Sequence, residues 1–348
     1  MGHGGDPGRA MLNPGKYIAA MLGCFAVAMA AAWWGAASYR QSYSGFEYGI
    51  YKAKLEMIAR CDTGEVIVLG DSRAGIAFSP AEIGSSVRNF AFNGMSPVEG
   101  YFVTRRVLAC PHKPKVAIVA FSPNQLRDLS WFWSRGVQLG AVTEADLTEI
   151  AAESQRLGDD ELYHSNFGAE PPPAIKNWAY THAFPVYDFS VMLGSLTDRT
   201  NRGTLNEATY RQVLADRGQS FSPVDFGCTK SLALEAKTPR FTATKLTDAY
   251  FRKLIGLFQS NGVRVIIAPL PYSRLSAAKI TPQFARDYRE YLASVTSAKP
   301  GVTAIEPAFL AMDDCLFADE MHLNRAGTAA YSQWVKTQVL PSDGKIPG

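Results

Sequence analysis

The chain has 348 residues, 47% hydrophobic and 19% charged, with 35 basic and 32 acidic side chains and a formal net charge of +3. That length holds one large domain with a sizeable insertion. The near balance of charge and the lack of a long basic run argue against a nucleic-acid partner.

The first element is residues 17–39, YIAAMLGCFAVAMAAAWWGAASY, which contain no charged residue. The stretch is long enough to cross a bilayer as a helix, and Trp33, Trp34 and Tyr39 lie at one end, where amphipathic rings favour the interface. Arg9 and Lys16 precede it, whereas Arg40 is followed by the nearly uncharged QSYSGFEYG. This bias places residues 1–16 in the cytoplasm and residues 40–348 outside, as a single-pass inner-membrane protein with a periplasmic body. The competing reading is a cleaved signal peptide, with small residues at Gly35, Ala36, Ala37 and Ser38. The apolar stretch is long for such a segment, which favours retention. A lipidation site at Cys24 is set aside because a long apolar run, not a polar linker, follows it.

Residues 45–60 read as a helix. Strand-like runs follow at EVIVLG (65–70), VRNFAF (87–92), KVAIVAF (115–121), VRVIIAPL (263–270) and, more weakly, VTAIEP (302–307). Continuous apolar runs suit strands buried on both faces, and their alternation with helical patterns predicts a parallel α/β sheet wrapped by helices. Ser79-Pro80-Ala81-Glu82, Ser96-Pro97-Val98-Glu99 and Ser122-Pro123-Asn124-Gln125 share the form S-P-x-E/Q. Each predicts a helix start with Ser as cap, Pro in the first turn and an acid or amide closing a capping box. Residues 128–240 break this rhythm. They carry WFW at 131–133 and PPP at 171–173 and predict a mainly helical insertion, a wall or cap over the carboxyl edge of the sheet. The aromatics at 131–133 suit core and ligand surface equally.

Four cysteines lie outside the apolar segment: Cys61, Cys110, Cys228 and Cys315. An even number suits an oxidising compartment. If the runs at 66–69 and 116–121 are adjacent parallel strands, Cys61 and Cys110 sit at one edge of the sheet. The expected pairs are then Cys61–Cys110 and Cys228–Cys315. Four free thiols in a reducing compartment is the alternative, and only the membrane segment weighs against it.

In an open parallel sheet, ligands bind beyond the carboxyl ends of the strands. There the first strand ends in Gly70-Asp71-Ser72-Arg73. A serine on a tight strand-to-helix turn presents its hydroxyl and its own N–H to one site, and Gly70 permits the turn. Such a serine needs a base. The histidines are His3, His112, His164, His182 and His322. His3 precedes the apolar segment, His112 falls at the wrong edge, and His164 and His182 lie in the insertion. His322 follows the last strand, with Asp319 three residues earlier, a spacing that lets the carboxylate hold the imidazole. No His-x-x-x-His pair, Cys/His cluster, P-loop or G-x-G-x-x-G appears, so neither a metal nor a cofactor is expected.

Gly70-Asp71-Ser72 after a first strand, with Asp319-x-x-His322 near the C-terminus, resembles the SGNH (GDSL-type) hydrolase superfamily over roughly residues 62–127 and 245–340. The resemblance implies a flavodoxin-like, three-layer parallel sheet and esterase, lipase or acyltransferase chemistry. Ser72 is then the nucleophile and Asp319 and His322 complete the triad. The N–H of Ser72, Gly94 in FNGMSP and an asparagine form the oxyanion hole. The family's Gly-x-Asn-Asp is absent, and Asn124 in FSPNQL is the nearest candidate. Arg73 departs from the usual Leu and either binds an anionic substrate group or is only solvated; Asp71 is either a second carboxylate of the site, in contact with substrate, or stabilises the turn. The layout is similar to anchored SGNH proteins that work beside membrane-bound O-acyltransferases. It implies O-acetyl transfer or removal on a cell-surface or exported polysaccharide, with a carbohydrate or other acyl ester as substrate. A thioesterase or lipase remains open. The alternative from another class is a non-catalytic scaffold of an envelope or export complex.

Overall fold

The computed structural model describes residues 14–163, 172–183, 194, 202–221, 227–297 and 299–340. His3 and His164 lie outside the described residues, as do residues 1–13 of the N-terminal segment and part of the 128–240 insertion. Helix α1 (Pro14–Ser38) is long and apolar enough to cross a membrane, with a mean hydropathy of 1.8 and its apolar side chains exposed. This suggests membrane anchoring, because an all-round apolar helix finds its partner in lipid. Helix α2 (Glu47–Ala59) then leads into the body.

The body runs β1 (Val66–Gly70), α3 (Ser72–Ala77), β2 (Val87–Asn89), α4 (Pro97–Leu108) and β3 (Val116–Ala120), then α5 (Glu144–Leu157) and α6 (Arg202–Ala215). It continues through α7 (Lys245–Ser260), β4 (Arg264–Ile267), β5 (Pro271–Ser273), α8 (Pro282–Thr296), β6 (Val302–Ala304), β7 (Leu310–Met312) and α9 (Arg325–Trp334). All five expected strands join one parallel sheet in the order β2-β1-β3-β4-β6. Register pairs Val66 with Val116 and Gly70 with Ala120. Alternate residues of each run enter different cores. Ile67, Leu69, Ala117, Val119, Val265 and Ile267 pack with side chains of α4, α7 and α8. Val68, Ile118, Ala120 and Ile266 pack with side chains of α3 and α9. Burial on both faces is why these runs are continuously apolar. The short parallel pair β5–β7 was not legible, since three-residue strands carry no measurable period.

Of the three S-P-x-E/Q starts, only Ser96 closes a full capping box, with Glu99. Ser79 and Ser122 open single turns without a side-chain cap. Their N–H groups instead donate to Ser332 Oγ and Asp71 Oδ2, so tertiary partners replace local caps. A second capping box, Thr143 with Asp146, opens α5. VRNFAF is strand only to Asn89, whose amide turns inward and donates to the carbonyls of Ala74, Gly75 and Phe78.

The insertion is helical, with no strand among its described residues. Helix α6 packs on α2, α5 packs on α7, and the chain after α6 runs beside the outer edge of β2. There Asn89 N donates to Arg217 O at 2.9 Å and Ser220 N to Gly75 O at 2.9 Å. Phe132 and Trp133 are buried with Phe102 and Tyr250, whereas Trp131 stays 45% exposed. Cys61–Cys110 and Cys228–Cys315 are disulfide-bonded, the pairs expected, and Cys24 is free.

Lys54 of α2 is fully buried. Its ammonium donates to Ala91 O and to Ser220 Oγ (3.1 Å) and lies over the Phe92 ring, tying α2 to the segment that leaves β2. Burial lowers its pKa from 10.5 to about 7. Between these values the unfolded chain binds a proton that the folded chain does not, so stability rises with pH. Urea unfolding between pH 7.5 and 9.5 should therefore show a slope of up to about 1.4 kcal/mol per pH unit from this one group. Lys54→Met should flatten it, and an unchanged slope in that variant would refute the assignment.

Candidate active site

The turn after β1 is built by close approach. A Cβ on Gly70 would lie 2.0 Å from Ala120 O, so only glycine lets β1 and β3 end side by side here. Asp71 follows and is 2% exposed. Its Oδ1 accepts from Arg73 N and its Oδ2 from Ser122 N, both at 2.9 Å. One carboxylate thereby caps α3 and ties the ends of β1 and β3 together. Ser72 becomes the first residue of α3, where its N–H has no intrahelical acceptor. Among the described residues that N–H carries no hydrogen bond.

The Ser72 hydroxyl points to His322. Ser72 Oγ and His322 Nε2 are 2.8 Å apart, and His322 Nδ1 is 2.8 Å from Asp319 Oδ2. Residues 319–322 form the turn before α9. Asp319 Oδ1 accepts the N–H groups of Met321 and His322, each at 2.8 Å, so the backbone fixes the carboxylate that orients the ring. Partial burial works to raise the Asp319 pKa. The hydrogen bond and charge of His322, with the two amides, outweigh it and hold the carboxyl below its ordinary value.

Gly94 lies beside this serine by register. Phe90 N donates to Val68 O and Phe92 N to Gly70 O, continuing the parallel ladder past the end of β2. Residues 93–94 thus leave the sheet beside the turn that carries Ser72. Gly94 has φ +74° and is buried beneath Trp131 and Arg135, and its N–H carries no hydrogen bond among the described residues. Asn124 sits in the turn Pro123–Leu126 beyond β3, at the same edge, and among the described residues its side-chain amide is likewise unengaged.

Arg73 and Asp71 are both buried. The Arg73 side chain is 3% exposed and points into the protein, where it meets Glu235 at 3.2 Å, donates to Pro271 O at 2.6 Å and stacks on Tyr272 at 4.1 Å. Both Asp71 oxygens are occupied by amides. Both side chains are thus engaged within the protein. Glu235 had no sequence signal, being 162 residues away. The same holds for Tyr51, which donates to Asn93 O at 2.8 Å, and for Glu47, which pairs with Arg135 at 2.8 Å. Among the described residues no group of three or more His, Cys, Asp or Glu side chains is placed to hold a metal ion.

No family model matches the chain, and no curated protein matches it significantly.

Proposed function

We propose that the chain is a membrane-anchored serine acyl-transfer enzyme of the SGNH type. The observation that carries this is the unbroken Ser72–His322–Asp319 hydrogen-bond line, 2.8 Å at each step. The strand order supports it too: with β6 as the fifth strand it matches the flavodoxin-like 2-1-3-4-5 arrangement, whose ligands bind where the free serine N–H lies.

In this reading Ser72 Oγ attacks an acyl carbonyl carbon while its proton passes to His322 Nε2. Asp319 holds the Nδ1–H tautomer and stabilises the imidazolium. The oxyanion takes hydrogen bonds from the N–H groups of Ser72 and Gly94, with the Asn124 amide as third donor. His322 returns the proton to the leaving alkoxide, giving an acyl-enzyme and a free alcohol. A sugar hydroxyl or water then gives its proton to His322 and attacks the acyl carbonyl; the acyl–Oγ bond breaks, releasing the new ester or acid, and His322 returns the proton to Ser72 Oγ. The membrane helix and two disulfides support a body on the oxidising side of the inner membrane. There the resemblance points to O-acetyl transfer or removal on an exported polysaccharide, with a membrane-bound O-acyltransferase as partner. The missing Gly-x-Asn-Asp favours the scaffold alternative. An aligned triad weighs against it, because a binding scaffold has no use for that geometry.

The test is a fluorophosphonate probe on the full chain in detergent with disulfides intact, read by intact mass. One adduct, absent in Ser72→Ala, is expected. A folded wild-type protein that takes no adduct would sink the enzyme reading.

A further inference from the structure

Trp131 differs from its neighbours in WFW. Phe132 and Trp133 are buried in the insertion core and pin the backbone, while the Trp131 ring stays 45% exposed. It is also fixed in place. The Arg135 guanidinium lies over the ring, 3.9 Å from its centroid, and is itself held by Glu47 at 2.8 Å. The ring root packs on Gly94: a Cβ there would lie 2.9 Å from Trp131 Cβ and 3.1 Å from Cγ. Gly94 lies two residues past Phe92, whose N–H donates to Gly70 O, and Ser72 lies two residues past Gly70, so the ring stands on the segment that leaves the sheet next to the nucleophile's turn.

We propose that Trp131 is a stacking platform for a pyranose ring, seating the sugar that donates or accepts the acyl group beside Ser72. The inference rests on the acyl-ester reading and names the residue that seats the sugar at that same site. Chemistry favours a sugar over an acyl chain. The indole face is electron-rich and flat, and it complements the weakly positive C–H face of a pyranose. The Arg135 guanidinium over the ring and its ion pair with Glu47 make the surroundings polar, which suits a sugar's hydroxyls better than an acyl chain. Because Arg135 already immobilises the ring, little side-chain entropy is lost when a sugar binds.

The test separates this from the chemistry by using full-length Ser72→Ala protein in detergent, which has no nucleophile. Calorimetric titration with short neutral, uronic-acid and N-acetylglucosamine oligosaccharides should give saturable binding to at least one class. Adding Trp131→Leu or Trp131→Ala should raise Kd about tenfold or more, the value of one lost aromatic contact. Trp131→Phe should stay within about threefold, since the ring face remains. Equal losses for Phe and Leu would reduce Trp131 to a packing residue and overturn the proposal, as would no saturable binding by the parent. A third outcome also overturns it: unchanged Kd in all variants, with a component of brominated-lipid quenching beyond that of Trp33 and Trp34 that is lost in Trp131→Phe, assigns the ring to the membrane surface. Failure of the enzyme reading shows separately, as a wild-type protein that takes no fluorophosphonate.

Discussion

Asp319→Asn is expected to slow hydrolysis of p-nitrophenyl acetate by about 10,000-fold while the protein stays folded. The reason is tautomeric. Asp319 Oδ2 accepts the Nδ1 proton of His322, which leaves Nε2 bare toward Ser72 Oγ. An amide in that place donates to Nδ1, moves the ring proton to Nε2 and leaves Ser72 without a base. His322→Ala removes the base outright and should lose at least as much. Ser72→Ala and His322→Ala combined should be no slower than either alone, because a triad acts as a unit. Rates within about tenfold of wild type in Asp319→Asn would show that the observed line is not the catalytic one. The variant has a second signature. The native carboxyl of Asp319 titrates below its ordinary value, so it adds stability above that value that is lost as pH falls through the folded one. Asp319→Asn should remove this acid-limb dependence, read by thermal unfolding across the acid range up to neutral pH.

Glu235→Ala is expected to cost about 3–5 kcal/mol of stability, measured by urea unfolding. It strands the Arg73 guanidinium where the side chain is 3% exposed, with Pro271 O and the Tyr272 ring as its remaining partners. Arg73→Met combined with Glu235→Leu should cost less than Glu235→Ala alone, because an apolar pair leaves no buried charge. Since Arg73 directly succeeds the candidate nucleophile, the single variant should also slow fluorophosphonate labelling of Ser72 even when fully folded. A Glu235→Ala protein as stable as wild type would mean that water reaches the arginine and that the pair does not hold the turn.

Much of the frame was legible because it rests on local rules. Apolar runs of β-branched residues suit strands covered on both faces, so EVIVLG, KVAIVAF and VRVIIAPL announced the parallel sheet. Gly70-Asp71-Ser72 announced the turn, because only Gly tolerates the approach to Ala120 O and the Asp71 carboxylate caps α3. The spacing of Asp319 and His322 lies within one turn, where sequence distance is spatial distance. Adjacent strands sufficed to pair Cys61 with Cys110.

The contacts that tertiary structure alone decided lie between distant segments. The sequence offered Arg73 an anionic substrate group or solvent, and only the fold set Glu235 and Tyr272 around it. Ser79 and Ser122 read as helix caps until Ser332 and Asp71 claimed their amides. Trp131 became distinct from Phe132 and Trp133 only when Gly94 and Arg135 packed against it. The sequence determines which residues can form a strand, a cap or a nucleophile, because those preferences act over a few bonds. Which polar group meets which is settled by packing between segments far apart in the chain, where burial forces each charge to find whatever partner the fold brings near.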